Sequence, residues 1–181
     1  MISLDTYLNA KRTELHDAMA SGYPVSPETL CNHVYHGVSL GLPGWIERLT
    51  WKKFMKTFYL DAETGGVRGW NIRAMDNGLD AEWQPKLHKG KPITFGHFDV
   101  THSDHHVVHP NEIILDYGRG GRKGNGLLNG LRDPIVALEP ESPDVLLGWS
   151  YLALGNARVR TPSYFLLMRG SDLTDPVSAP N

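Results

Sequence analysis

The sequence predicts a mainly β protein, an antiparallel up-and-down barrel preceded by one or two N-terminal α-helices. Three observations carry this. From Trp51 onward, apolar and aromatic runs alternate with clusters of Gly, Asp, Asn and Pro, which is the texture of strands and turns. No helical crossover separates these runs, so a parallel sheet is disfavoured. The last run, "SYFLLMR" (163–169), is apolar on both faces: Tyr164, Leu166 and Met168 alternate with Phe165 and Leu167. A strand covered on both sides suits a barrel wall, lined inside and packed outside by the leading helices.

At the N-terminus, Ser3 can cap a first helix in which Leu4, Tyr7, Leu8, Leu15 and Met19 recur at helical spacing, and "SGYP" ends it. Ser26, Pro27 and Glu28 supply a cap, a first-turn proline and a first-turn acid, and predict a short second helix through about His36. Gly37, Gly41, Pro43 and Gly44 break the chain after that helix, and Trp45 to Leu49 form one more turn. Strands are expected at about 51–60, 67–75, 92–101, 111–117, 133–139, 145–154 and 159–168. "DAETGG" and "LGNA" read as hairpin turns. The expectation is one domain over 1–170, with helices within 1–48 and barrel strands within 51–169. The small, polar tail 171–181 is expected to fray.

In "VLLGWSYLAL", Val145, Leu147, Trp149, Tyr151 and Ala153 share one face, while Gly148 and Ser150 lie on the other with Leu146 and Leu152. Leading helices, then meandering antiparallel strands that end in the apolar "SYFLLMR", resemble the lipocalin-like (calycin) β-barrels over residues 51–169. The glycine-x-tryptophan signature of lipocalins does not open the first strand; in "RGWNI", Gly69 stands directly beside Trp70. The resemblance implies a cavity for an apolar small molecule.

The chain has 181 residues, a formal net charge of −2 and 21% charged residues, so no broad basic field invites nucleic acid or anionic membrane. No stretch approaches the ~20 apolar residues that span a bilayer, and the N-terminus has no signal-peptide core. Cys31 is the one cysteine, which excludes an intrachain disulfide and suits a cytoplasmic location. It reads as a packed residue rather than a nucleophile.

Chemistry concentrates in "GHFDVTHSDHHVVHP" (96–110), which holds five of the nine histidines. On a strand over 92–101, Ile93, Phe95, His97 and Asp99 share a face. If 102–110 is the hairpin loop, a symmetric register pairs Asp99 with Ile113 and His97 with Leu115. Ile113, Leu115 and Tyr117 then join that face, which becomes an apolar cavity wall with polar heads. A slip of one residue swaps the faces. His97 and Asp99, about 7 Å apart along the strand, could act as general base and orienter, with Tyr117 or Tyr164 as acid or oxyanion donor. They could equally be a hydrogen-bonded pair that closes the wall.

His102, His105, His106 and His109, with Asp104, could hold a transition metal, although a solvated turn has the same composition. No other cofactor is expected. His33 and His36, three apart on the predicted second helix, would share a face near the cavity mouth; alternatively, His36 simply answers the helix dipole. "YGRGGRKGNG" (117–126) lacks P-loop spacing. It suits a lid from which Arg119 and Arg122 would meet an acidic ligand. Trp149 and Tyr151 are the expected aromatic cavity wall, beside Phe95 and Leu115.

These features support three readings. One is binding of an apolar or amphipathic small molecule in the barrel cavity. The alternative is a cofactor-independent lyase, isomerase or hydrolase that uses a His/Asp pair in the same cavity. A metal-dependent enzyme centred on the histidine loop is a second alternative. The expected partner is a small molecule, and the oligomeric state is left open.

Overall fold

The computed structural model describes residues 4–40, 52–102, 111–120, 126–155 and 157–173. Eight antiparallel strands close into a barrel of lipocalin-like architecture, with short helices before it. The barrel strands are β1 (His33–Leu40), β2 (Lys53–Leu60), β3 (Val67–Arg73), β6 (Thr94–Thr101), β7 (Ile113–Asp116), β8 (Leu131–Glu139), β9 (Ser142–Leu154) and β10 (Ala157–Asp172). Each pairs with its chain neighbour, and β1 closes the ring on β10. A two-stranded hairpin, β4 (Leu87–His88) and β5 (Lys91–Pro92), is inserted between β3 and β6. None of the described helices is long and apolar enough to cross a membrane.

All seven expected strands are present, and the eighth lies where a helix was expected. Ser26, Pro27 and Glu28 do start a helix, but it is a single 3-10 turn, Pro27–Leu30. Asn32, at φ 63°, then redirects the chain into β1. In "HVYHGVSL" the β-branched Val34 and Val38 and the aromatic Tyr35 suit a pleated wall better than a helix. His33 and His36 therefore point to opposite sides of a strand. His33 Nδ1 lies 3.3 Å from Asp172, and His36 stacks on Trp83 at 4.7 Å. The turn expected at Trp45 to Leu49 lies outside the described residues, as does Ser3. β10 runs to Asp172, past the expected start of the tail, and 174–181 lie outside the described residues.

The first helix is two pieces, α1 (Leu4–Leu8) and α2 (Arg12–Ala20). Asn9 Nδ2 donates to the Asp5 carbonyl and closes α1, and the Glu14 carboxylate accepts from the Lys11 N–H at the start of α2. Leu15 and Met19 of α2 pack with Val38, Leu40, Val136, Leu147, Trp149, Tyr151, Tyr164 and Leu166. This is the outer face of the β1–β10–β9–β8 wall, and its burial explains why the last strands are apolar on both sides. The inner residues of the same strands, including Tyr35, Ile135, Leu146, Phe165 and Leu167, join Phe58, Val67, Phe98, Ile113 and Leu115 inside the barrel. Val25 and Leu30, from the segment after α2, enter this inner cluster as well.

Glycines make room for the inner rings. A Cβ on Gly148 would stand 2.3 Å from the Phe165 ring, one on Gly37 2.3 Å from Phe54, and one on Gly69 2.6 Å from Phe98. Each of these rings occupies space that a side chain at the glycine would need.

The register of β6 against β7 differs from expectation. Asp99 pairs with Asp116, Val100 with Leu115 and Thr101 with Ile114. Relative to the symmetric hairpin this is a shift of three residues, an odd number, so the faces exchange. The driving force is burial. Phe98 goes inside with Leu115 and Tyr117, and His97 and Asp99 turn to the other side of the wall. β6 also carries a bulge. Opposite Gly69–Asn71 on β3, residues 95–98 take one extra position, and Gly96 adopts φ 55° there. The bulge breaks the alternation, so Phe95 and Phe98 both reach the interior.

Candidate functional site

Among the described residues, the barrel is filled at one end and hollow at the other. The inner cluster plugs the end bounded by the 3-10 turn Pro27–Leu30. At the opposite end a cavity of about 280 Å³ remains, lined by Ser39, Phe54, Phe95, Leu128, Leu131, Ser163 and Phe165 around a polar floor. Leu128 and Leu131 reach it from the 3-10 turn Gly126–Gly130 and the start of β8.

The floor is a network of five polar residues from five parts of the wall: Lys56 (β2), Asn71 (β3), Tyr117 (just after β7), Asp133 (β8) and Ser150 (β9). Lys56 is 2% exposed, Asp133 3% and Asn71 4%. The Lys56 ammonium donates to Asn71 Oδ1 at 2.8 Å, to the Tyr117 hydroxyl oxygen at 2.6 Å and to Asp133 Oδ2 at 3.2 Å. These are the three donors an ammonium has. The Tyr117 hydroxyl donates to Asp133 Oδ2 at 2.8 Å, and Ser150 Oγ donates to Asp133 Oδ1 at 2.6 Å. Asn71 Nδ2 donates to the Gly96 carbonyl at 3.0 Å, which ties the floor to the β6 bulge.

The rings of Phe54, Phe98, Tyr117 and Phe165 surround the ammonium, with centroids 5.2–5.4 Å from Nζ. Their faces stabilise a cation that has lost its water. Burial still pulls the Lys56 ammonium below its ordinary range, and Asp133 opposes that shift. Burial, reinforced by the Asp133 charge, pushes the Tyr117 phenol well above its ordinary range. Tyr117 is therefore a neutral hydroxyl beside an amine that is easier to deprotonate than a surface lysine.

Of the residues expected at the site, Tyr117 and Phe95 reach the cavity. Leu115 is fully buried in the plugged interior beside it. His97 does not line the cavity. It is 7% exposed and packs 6.1 Å from Trp70, itself in a separate cluster with Val34, Met55, Ile72 and Ala74. Asp99 is held by Arg68 Nε at 2.8 Å; the same guanidinium grips Asp61 at 2.8 Å and the Gly120 carbonyl at 3.2 Å. Burial raises the Asp99 carboxyl while Arg68 opposes the rise. This is a strap across the wall, on the other side from Tyr117.

Trp149, Tyr151 and Tyr164 belong to the outer cluster under α1 and α2 and do not line the cavity inside the barrel. The same face of β9 was expected to be shared, and it is, but the helices cover it. Ser150 and Gly148 point inward instead. Arg119 is mostly exposed and lies 3.7 Å from Asp116, whose carboxylate also accepts the Gly118 and Arg119 N–H groups and pairs with Arg132. Arg122 lies outside the described residues. So do Asp104, His105, His106 and His109; His102 is exposed. Among the described residues, no three His, Cys, Asp or Glu side chains converge as a metal site.

Lys56, Asn71, Asp133 and Ser150 were not anticipated, yet the sequence holds a signal for the two charges. In "KFMKTFYL", Lys56 keeps period-2 step with Phe54 and Phe58; in "RDPIVALE", Asp133 keeps step with Ile135 and Ala137. A charge in step with core residues must be paired or functional.

No protein-family model matches the chain, and no curated protein matches it significantly.

Proposed function

We propose that the barrel binds a small amphipathic molecule. The apolar body would rest against Phe54, Phe95, Leu128, Leu131 and Phe165, and the polar end would meet Lys56, Tyr117, Asp133 and Ser150. One observation carries this reading: a cavity of about 280 Å³ ends on a buried, mutually hydrogen-bonded ion pair. A buried pair contributes little net stability over apolar residues of the same volume, and the other end of this barrel is filled with such residues. Apolar walls with a few convergent polar groups are the usual make-up of a small-molecule site.

The test fills the space. Leu128→Trp is expected to keep the fold while abolishing uptake of an apolar fluorescent probe such as 2-naphthylmethanol. Probe binding that is equal in the variant and the wild type would place the ligand elsewhere and end the proposal.

A second reading, a cofactor-independent lyase, isomerase or hydrolase in the same cavity, is favoured by the opposed displacements of Lys56 and Tyr117. In that reading Tyr117 donates the proton and Lys56 with Asp133 supplies the base, and His97 and Asp99 support the wall.

A further inference from the structure

A lysine amine is a nucleophile as well as a cation, and the surroundings of Lys56 suit that use. Lys56 lines the cavity of about 280 Å³. The Tyr117 hydroxyl oxygen at 2.6 Å and the Asp133 carboxylate at 3.2 Å both accept from its Nζ, and the Tyr117 hydroxyl proton points to Asp133 at 2.8 Å. A carboxylate that can take a proton from this nitrogen and a hydroxyl that can give up its own therefore stand beside it, inside an aromatic cage that favours a cation. We propose that Lys56 captures a carbonyl-bearing small molecule in the barrel cavity as an imine, with Asp133 and Tyr117 moving the protons. This rests on the reading of the cavity as a small-molecule site and names the class of molecule.

The step balances without any further reactant. The Lys56 ammonium passes a proton to the Asp133 carboxylate. The freed lone pair forms the C–N bond as the carbonyl π bond breaks. The resulting alkoxide takes the Tyr117 hydroxyl proton, and the phenolate recovers one from the new N–H group. The carbinolamine oxygen then accepts the proton held by Asp133 and leaves as water while the nitrogen lone pair closes the C=N bond. An ammonium and a carbonyl become a protonated imine and water. The positive charge stays on the same nitrogen, beside Asp133 and among the same four rings, so the site that holds the ammonium also holds the product. Burial also reduces the cost of freeing the amine.

The experiment uses the wild-type chain. It is incubated with 2-naphthaldehyde and cyanoborohydride, and the reduced naphthylmethyl groups are mapped by peptide mass spectrometry. In parallel, binding of 2-naphthylmethanol, which cannot condense, is followed by its fluorescence. The expected result is carbinol binding together with labelling of Lys56 about tenfold or more above the exposed Lys86, Lys89 and Lys91. Leu128→Trp should suppress the label at Lys56 and leave the surface labels unchanged. If the carbinol binds but Lys56 is labelled no faster than the surface lysines, imine capture is overturned and the binding reading stands. If the carbinol does not bind and Lys56 stays unlabelled, both are overturned. Because the mapping is done on the native chain, the outcome does not depend on whether a Lys56 variant folds.

Discussion

Lys56 brings a full charge into a barrel interior, and its surroundings determine what its removal does. Lys56→Met leaves the Asp133 carboxylate buried without its cation, which should cost about 3–5 kcal/mol. Replacing both charges, as in Lys56→Met with Asp133→Leu, should recover part of that loss, because no buried charge is left unpaired although Tyr117 and Ser150 lose the carboxylate to which they donate. Urea denaturation of the two single variants and the double variant checks this; strictly additive losses would show that the pair is not coupled.

The pH dependence has two limbs. Lys56 titrates below its ordinary 10.5, so between its folded-state value and 10.5 the unfolded chain binds more protons and stability rises with pH. Tyr117 titrates above its ordinary 10.0, so above 10.0 the unfolded phenol ionises first and stability falls as pH climbs. Denaturation midpoints from neutral pH to about pH 11 should show Tyr117→Phe flattening the alkaline decline. Histidine density singles out 96–110, but density says nothing about which way a side chain faces. Period-2 step with core residues does, and it points to Lys56 and Asp133.

Among the elements, β6 and β1 mark where reading the sequence fails and why. The strand at 94–101 is legible from alternation, yet the Gly96 bulge resets that alternation within the strand. A bulge depends on pairing with β3, which no local pattern records. The cap-proline-acid signal at Ser26–Glu28 is real, but it governs one turn only. Closure of the barrel recruits the next eight residues as β1, so tertiary pairing overrides a local helix start. β9 and β10 are legible in period and turn, but which of their faces looks inward is not, because both faces are apolar. Gly148→Ala tests the packing between these two strands. Its methyl group would meet the Phe165 ring, displacing it at a cost of about 1–3 kcal/mol. Because Phe165 also lines the cavity, uptake of 2-naphthylmethanol should weaken along with the thermal midpoint. A variant with wild-type midpoint and uptake would mean that the ring does not lie over the glycine.

The fold class was the most legible feature of the whole molecule, because strand periodicity runs from the fifties to the end of β10 and only a closed wall buries both faces of the last strands. Which residues face the interior could not be anticipated from that architecture, because inside and outside are assigned by where the helices dock and how β6 meets β7. The two ends of the barrel are built differently, one packed with Tyr35, Phe58, Phe98 and Ile135, the other hollow above Lys56.

That asymmetry makes the wall unequal in stiffness along its axis. Backbone amides beside the packed end, such as Val34, Phe58 and Ala137, should take up deuterium only through global opening, whereas Ser39, Phe54 and Ser163 at the hollow rim should exchange through smaller local excursions. An occupant would slow the rim and leave the packed end unchanged, so an exchange profile of the barrel would register a guest before its identity is known.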